Sequence, residues 1–423
     1  MKIPLKTAGR KGALAALGIA LATAYVVMAA SQFAASWFGS RAELSSLKRA
    51  VWLDPGDAEY RHDLGRYYDL VGRDPASAVE HYKAAVQLDP HSARYWFDLA
   101  SAYQVLGDTP HQADALERAI HADATTPDVA WEAANFYLVQ GENEKALREF
   151  RVVIANDTSL VQSSLQACWR IEPDVDALLR DVVPARADTY TNFLILLESK
   201  QETAGAAKVW NALMQTHERF ELQYGYDYIR YLVQHKEVDQ AVMAWQQITS
   251  RFGLSAYQPS AGNLIVNGSF NLAVLNAGFD WQHQKQSGVT LILDDNDSHG
   301  GHRSLQITFD GPGIVDAGMY QLVAVEPNTT YDFTAYYKNG EMEGAGGPHF
   351  TIQDMYTQAV YYESEELNDA GFWKSANGEF KTAADCKLVV VHIRRLPSGS
   401  PMRGKLWVDD FHLVRKASEV TVH

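Results

Sequence analysis

A self-similarity at about 34 residues runs through the middle of this 423-residue chain and leaves few architectures open to it. One unit carries Leu64-Gly65, Tyr68, Gly72, Ala78, Tyr82 and Ala85, and closes on Val86-Gln87-Leu88-Asp89-Pro90. The next carries Trp96, Leu99-Ala100, Tyr103, Gly107, Leu116 and Ala119. The third carries Ala130, Ala133-Ala134, Tyr137, Gly141, Ala146, Phe150 and Val153. The pattern suits two antiparallel helices per unit. Small residues sit where helices approach closely, and large ones fill the holes between them. Gly72, Gly107 and Gly141 fall where each pair turns, and Pro90 ends a helix because it cannot continue one.

Weaker units follow. One carries Tyr190, Phe193-Leu194, Leu197, Ala206, Trp210 and Leu213; another carries Tyr228, Leu232, Ala241, Trp245 and Ile248. Residues 160–186 read as a shortened pair, and Leu47, Ala50-Val51 and Asp54-Pro55 as the second helix of a half-unit. The order of aromatic, Leu-Gly, Tyr, turn Gly, Ala, aromatic and Asp-Pro resembles the tetratricopeptide repeat, over about residues 43–253. The resemblance implies an all-α solenoid, assigned to 41–258, with a protein partner in the groove lined by the first helix of each pair.

Ahead of the repeats, Gly12–Phe38 is 27 residues without a charge. That exceeds the roughly 20 needed to cross a bilayer as a helix. Lys2, Lys6, Arg10 and Lys11 precede it, with no acid before residue 40, which predicts a cytoplasmic N-terminus. Residues 1–40 therefore read as a basic tip and a membrane anchor through 12–38. The alternative is a cleaved signal peptide, for which Ala22-Thr23-Ala24 supplies an A-x-A site; length favours the anchor. Either way the rest of the chain is exported. The expected location is a cell inner membrane, crossed once, with the bulk periplasmic or extracellular.

Composition changes after the repeats: residues 41–260 hold 8 glycines, and 261–423 hold 17. From Pro259-Ser260-Ala261-Gly262 onward the apolar period is two. Candidate strands are 264–270, 289–294, 303–310, 318–325, 329–338, 348–354, 358–363, 373–381, 386–395 and 404–414. Turns fall at Pro327-Asn328, Asn339-Gly340 and Pro397-Ser398-Gly399. Ten short strands with such turns predict a two-sheet, all-β sandwich of jelly-roll type. The motifs that carry a resemblance here are Asn263-Leu264-Ile265-Val266-Asn267-Gly268-Ser269-Phe270, Gly278-Phe279-Asp280-Trp281, Gly301-His302-Arg303-Ser304-Leu305, Val325-Glu326-Pro327-Asn328-Thr329-Thr330-Tyr331 and Leu406-Trp407-Val408-Asp409-Asp410-Phe411. Their order resembles the jelly-roll carbohydrate-binding modules attached to xylanases and glucanases, over 263–416. The resemblance implies glycan binding and a structural calcium. Asp409 or Asp410 would supply oxygen ligands, although Asn271 stands where an acidic residue usually follows Gly-x-Phe.

Sugar recognition needs an exposed ring for stacking, flanked by hydrogen-bonding groups. Alternation puts Asp332, Thr334, Tyr336 and Lys338 on one face, His349, Thr351 and Gln353 on another, and His392 with Arg394 on a third. If these faces belong to one concave sheet, Tyr336, Gln353, His392 and Arg394 line it, rimmed by Tyr356, Tyr361 and Tyr362. The alternative is a solvated face with no ligand. Trp281, Trp373 and Trp407 are assigned to the core. Cys168 and Cys386 lie in different blocks and read as separate small hydrophobes.

A net charge of −15 argues against nucleic-acid binding, which needs a basic face. Signs of catalysis are weak. Asp294-Asp295-Asn296-Asp297 and Glu363-Ser364-Glu365-Glu366 are acidic, but nothing places two carboxylates across a cleft. Gly399 leads only to Ser400-Pro401, so there is no Gly-x-Ser-x-Gly elbow, and His299-Gly300-Gly301-His302 is a His pair without further metal ligands. The reading is a non-catalytic, membrane-anchored envelope scaffold with a protein partner on its repeats and a polysaccharide on its jelly roll, suited to exopolysaccharide or cell-envelope assembly. A pure protein scaffold with a structural or protein-binding sandwich is the alternative, and a polysaccharide-active enzyme the third. An exposed groove shared by Tyr336, His392 and Arg394 would separate the first two.

Overall fold

Aspartates at the repeat boundaries start the helices. Asp57, Asp74 and Asp174 each accept a backbone N–H from the first turn that follows, and so does Asp108 at the start of a helix carrying Pro110. The structure, a computed structural model, describes residues 8–368, 370–395 and 401–416. Lys2 and Lys6 of the basic cluster, and the Pro397-Ser398-Gly399 turn with Ser400, lie outside the described residues. Two compact units result, Met1–Leu196 and Leu197–His423.

In the first unit, α1 (Ala8–Gly39) is a single 32-residue helix, and α2 (Leu44–Leu53) is the expected half-unit. Helical pairs follow: α3 (Ala58–Arg66) with α4 (Pro75–Leu88), α5 (Ala93–Leu106) with α6 (Thr109–Ala122), and α7 (Pro127–Gln140) with α8 (Asn143–Asn156). The short pair is α9 (Val161–Ile171) and α10 (Val175–Asp181), and α11 (Ala187–Ser199) spans the division between units. The quoted repeat residues form the core: Leu64, Ala78, Tyr82, Leu99, Ala100, Leu116, Ala134, Ala146 and Phe150 are all buried. Most of α1 is exposed, Phe33 by 75%, whereas Ala35 is fully buried. A Cβ on Gly39 would stand 2.6 Å from the Tyr60 ring, so the end of α1 is packed tightly on the first repeat.

One repeat departs from the others. From Leu64 to Tyr82 there is one residue more than from Leu99 to Leu116 or from Ala133 to Phe150. A π-helical turn, Tyr67–Gly72, absorbs the extra residue. The left-handed position that closes the first helix is thereby displaced. Gly107 and Gly141 occupy it with φ of 73° and 76°, but in the first repeat it falls on Arg73 (φ 50°) and not on Gly72.

The second unit holds α12 (Thr203–Gln215), α13 (Leu222–Gln234), α14 (Val238–Arg251) and the sandwich. Sheet I has strand order β1 (Gln282–His283), β4 (Asp316–Ala324), β9 (Leu388–Arg395), β6 (Pro348–Asp354) and β7 (Val360–Glu363). Sheet II has order β2 (Val289–Asp294), β3 (Ser304–Gly311), β10 (Met402–Arg415), β5 (Thr330–Glu343) and β8 (Lys374–Lys381). Every pairing between named strands is antiparallel. From β3 to β6, and again from β7 to β10, each strand lies in the opposite sheet from the one before it, as in a jelly roll. Leu305, Ile307, Phe333, Phe350, Ile352, Val389, Val391, Ile393, Leu406 and Val408 meet between the sheets.

The segment 264–270 is not a strand. Asn263 instead ties the opening motif to β10: its Nδ2 donates to Phe411 O, and its Oδ1 accepts from Leu413 N. The backbone of Val266 exchanges hydrogen bonds with the Gln321 amide of β4, so this segment laces the two sheets together. Gly268 is required there, since a Cβ would lie 2.3 Å from Phe411 O. The assignment of three tryptophans to the core is also corrected. Trp281 is fully buried, but Trp373 and Trp407 lie on the outside of sheet II, their Nε1 groups donating to Asp297 and Asp294. Parity explains Trp407, because its neighbours Leu406 and Val408 take the inward positions. Cys168 and Cys386 are buried free thiols, pushed up to about 12 and about 11 by desolvation.

Candidate functional site

The outer face of sheet I is built from side chains that alternate with the core residues just named. Register pairs Thr351 with His392, His392 with Tyr320, and Tyr320 with Gln282, giving one row across four strands. On one side of that row lie His349 and Arg394; on the other lie Gln353, Val390 and Leu322. Gln353, His392 and Arg394 therefore share a face, as alternation predicted.

Tyr336 does not. It sits on β5 in sheet II, paired with Ser375 and Asp409, so the expectation of one concave sheet holding all four residues is corrected. There Tyr336 stacks on His299 at a centroid distance of 3.6 Å. Tyr361 and Tyr362 do not form a rim either. Their rings pack against Phe380 and Phe333. Tyr356 lies against the last helix pair: its hydroxyl donates to Val233 O at 2.8 Å, and Lys236 stands over its ring.

Electrostatics and hydrogen bonding single out the middle of the row. His392 Nδ1 faces Asp316 Oδ2 at 3.3 Å, which leaves Nε2 as its other ring nitrogen. That Nε2 and the neighbouring Thr351 Oγ1 are both buried and have no hydrogen-bond partner among the described residues. An orphaned buried polar group costs about 1–3 kcal/mol, so two side by side mark a place where a ligand's hydroxyls would be welcome. Arg394 Nη1 donates to Gln353 Oε1 at 3.3 Å, bridging over Thr351, which lies between His349 and Gln353 on β6. Tyr320 adds the aromatic ring, and its hydroxyl donates to Gln282 Oε1 at 3.1 Å. Tyr320 and Gln282 are the members that sequence reasoning missed. Strand parity alone would have found Tyr320, since Ala317, Met319 and Val323 face the core.

Asp409 and Asp410, the residues expected to hold calcium, lie on β10. Asp409 Oδ2 accepts the backbone N–H groups of His299 and Gly300 at 2.8 and 3.0 Å, and Oδ1 accepts from Asp410 N. Asp410 Oδ2 is bound to His299 Nδ1 at 2.7 Å. Burial pushes Asp409 up to about 6. The pair holds the 299–302 loop, with Asn271 Oδ1 accepting from His302 N. No grouping of three or more metal-ligating side chains occurs among the described residues. Three of the pair's four carboxylate oxygens are thus engaged by the protein's own donors. Of the acidic loop, Asp294 and Asp297 are bound to Trp407, Trp373 and Lys338, and Asp295 to Arg303.

Residues 262–397 match the model of a family described as "Carbohydrate binding domain". No curated protein matches the chain. Among solved structures, one titled "Crystal structure of MamA" is 23% identical over 41% of this chain and 85% of that one, with a TM-score of 0.26. The xylan-binding domain of a Paenibacillus barcinonensis protein is 16% identical over 36% of this chain and 94% of its own, at a TM-score of 0.26. The structure titled "Functional Characterization of Pseudomonas Aeruginosa pilF" is 14% identical over 54% and 92%, also at 0.26. Scores of this size add nothing to the geometry already given.

Proposed function

We propose that this protein is a non-catalytic envelope scaffold that holds a protein partner on its helical repeats and a polysaccharide on the outer face of sheet I. The observation that carries the glycan reading is the row Thr351–His392–Tyr320–Gln282, with two adjacent unpartnered polar atoms beside Arg394 and Gln353. A sugar offers what such a face lacks, namely hydroxyls for the orphaned atoms and a C–H face for the Tyr320 ring. The match of 262–397 to carbohydrate-binding domains supports the same reading. The 32-residue apolar helix supports anchoring in the inner membrane, with the N-terminus cytoplasmic and the remainder periplasmic or extracellular. Exopolysaccharide or cell-envelope assembly would use both contacts at once. The commitment of Asp294, Asp295 and Asp297 to tryptophan, lysine and arginine partners supports a non-catalytic role.

The test is affinity electrophoresis of the detergent-solubilised full chain through gels containing soluble polysaccharides. Retardation by a polymer, weakened at least tenfold by His392→Ala and by Arg394→Ala with unchanged melting temperature, is the expected result. Retardation unaffected by both variants would refute this face as the site. One observation favours a second reading, a sandwich that caps the solenoid: the Tyr356–Val233 hydrogen bond joins the jelly roll to α13. That reading gains if no polymer retards the chain.

A further inference from the structure

The stripe of α13 that faces the sandwich is Tyr226, Ile229, Arg230, Val233 and Gln234, spaced i, i+3, i+4, i+7 and i+8 as one helix face requires. Opposite it stand Gly278, Gln282, Tyr320, Leu322 and Met355. Between them is a cavity of about 220 Å³. The pocket is partly open to solvent, as entry of a ligand requires.

Both surfaces are fixed. Tyr356 Oη donates to Val233 O, and Lys387 Nζ pairs with Asp239 Oδ2 at 2.6 Å. Trp245 of α14 packs its ring on Phe279 at 6.2 Å and donates through Nε1 to Tyr257 O, while Tyr257 Oη donates to Ala273 O at 2.7 Å. The lining has the character of a small-ligand pocket. Tyr226, Ile229, Val233, Leu322 and Met355 make an apolar floor; Arg230, Gln234, Gln282 and the Tyr320 hydroxyl make a polar rim. Pockets for drug-sized ligands run from roughly 300 to 1,000 Å³, so this one suits a smaller body, on the scale of a single sugar ring. It opens beside Tyr320 and Gln282, which belong to the row that contains His392.

We infer that the sugar site is composite: α13 of the last repeat pair forms one wall of a subsite for one pyranose ring, with Arg230 and Gln234 bonding its hydroxyls and Tyr226 or Tyr320 stacking on it. The inference rests on the glycan reading above. It makes the solenoid a determinant of glycan selectivity, and it ties glycan occupancy to the geometry of the last repeat.

The experiment uses the detergent-solubilised full chain and soluble xylan, mixed-linkage β-glucan and galactomannan as probes, with affinities from the same electrophoresis. Arg230→Ala removes a rim donor, which also pairs with Asp227, and Gln234→Trp fills the mouth from an exposed position; Met243→Ala, exposed on α14 outside the lining, is the control. Both lining variants are expected to weaken binding about tenfold, the scale of one lost hydrogen bond to a charged group, and the control to leave it unchanged. If Gln234→Trp lowers the melting temperature, Arg230→Ala decides. Binding lost in His392→Ala but unchanged in both lining variants overturns the composite site and leaves the sheet I site standing. A wild-type chain retarded by none of the three polymers overturns the glycan reading and this inference with it.

Discussion

Gly278→Ala probes how firmly the last helix pair is built into the sandwich. Gly278 has φ of +58°, and a Cβ there would stand 2.2 Å from Cζ3 and 2.4 Å from Cε3 of Trp245. That ring is buried, holds Tyr257 O through Nε1 at 2.9 Å and lies against Phe279, so it cannot swing aside. Two costs therefore add. The left-handed backbone costs a non-glycine residue about 1–2 kcal/mol. Forcing a methyl into a filled space costs about 1–3 kcal/mol more. Gly253 isolates the first cost, because it has φ of +73° and nothing within 4 Å of its Cβ position. Urea unfolding of the full chain in detergent, followed by tryptophan fluorescence, should show Gly253→Ala destabilised by about 1–2 kcal/mol and Gly278→Ala by about 2–5 kcal/mol. Trimming the ring should relieve the clash, so Trp245→Leu combined with Gly278→Ala should cost less than the sum of the two single changes. Equal costs for the two glycines, with an additive double variant, would refute the packing of Trp245 on the sandwich.

The remaining predictions are shorter. Tyr336→Ala should leave polysaccharide affinity within about twofold, because Tyr336 lies on sheet II; a tenfold loss in the same electrophoresis would move the site to that sheet. Asp280 is pushed up to about 6 by burial, so the folded chain holds its proton more tightly than the unfolded chain does. Its ionised form therefore costs stability above about pH 6, and that cost vanishes as the pH falls to about 4. Asp280→Asn, which keeps an acceptor for Leu275 N, should be more stable than wild type at pH 7 by up to about 3 kcal/mol and equal to it near pH 4; urea midpoints across that range check this. Arg73→Gly should stabilise the first repeat by about 1 kcal/mol by relieving a left-handed residue, and a lowered thermal midpoint would contradict the π-turn geometry.

Much of the architecture could be read from local pattern. The repeat cores were legible because helix pairs bury residues that are near in sequence, and the alanines and aromatics at fixed spacing are those residues. Nine of the ten expected strands formed, 289–294 and 348–354 with the expected limits, because a half-buried strand writes its period into the chain. The tenth, 264–270, failed for a physical reason: Ile265 N donates to the Asn263 side chain, Val266 exchanges bonds with the Gln321 side chain and Leu264 N donates to Leu413 O, so the segment bridges the sheets and joins neither. Gly72 does fall where its helix pair turns, but one inserted residue moves the left-handed position to Arg73, an effect no repeat pattern displays.

The site was legible in part. Periodicity showed that His392 and Arg394 share a face, and that His349, Thr351 and Gln353 share one. It could not show that β6 and β9 are neighbours while β5 lies in the other sheet, since jelly-roll partners are far apart in sequence and their register depends on the whole sandwich. Hence alternation groups Tyr336 with residues of the opposite sheet, and leaves Tyr356 on an open rim although it is bonded to a helix of the last repeat. Sequence alone determined the elements and which side chains leave each of them together, because those follow from the helical and strand periods. Tertiary structure alone decided which faces meet, which polar atoms are left without partners, and what walls the cavity, because these depend on contacts between segments that no local pattern links.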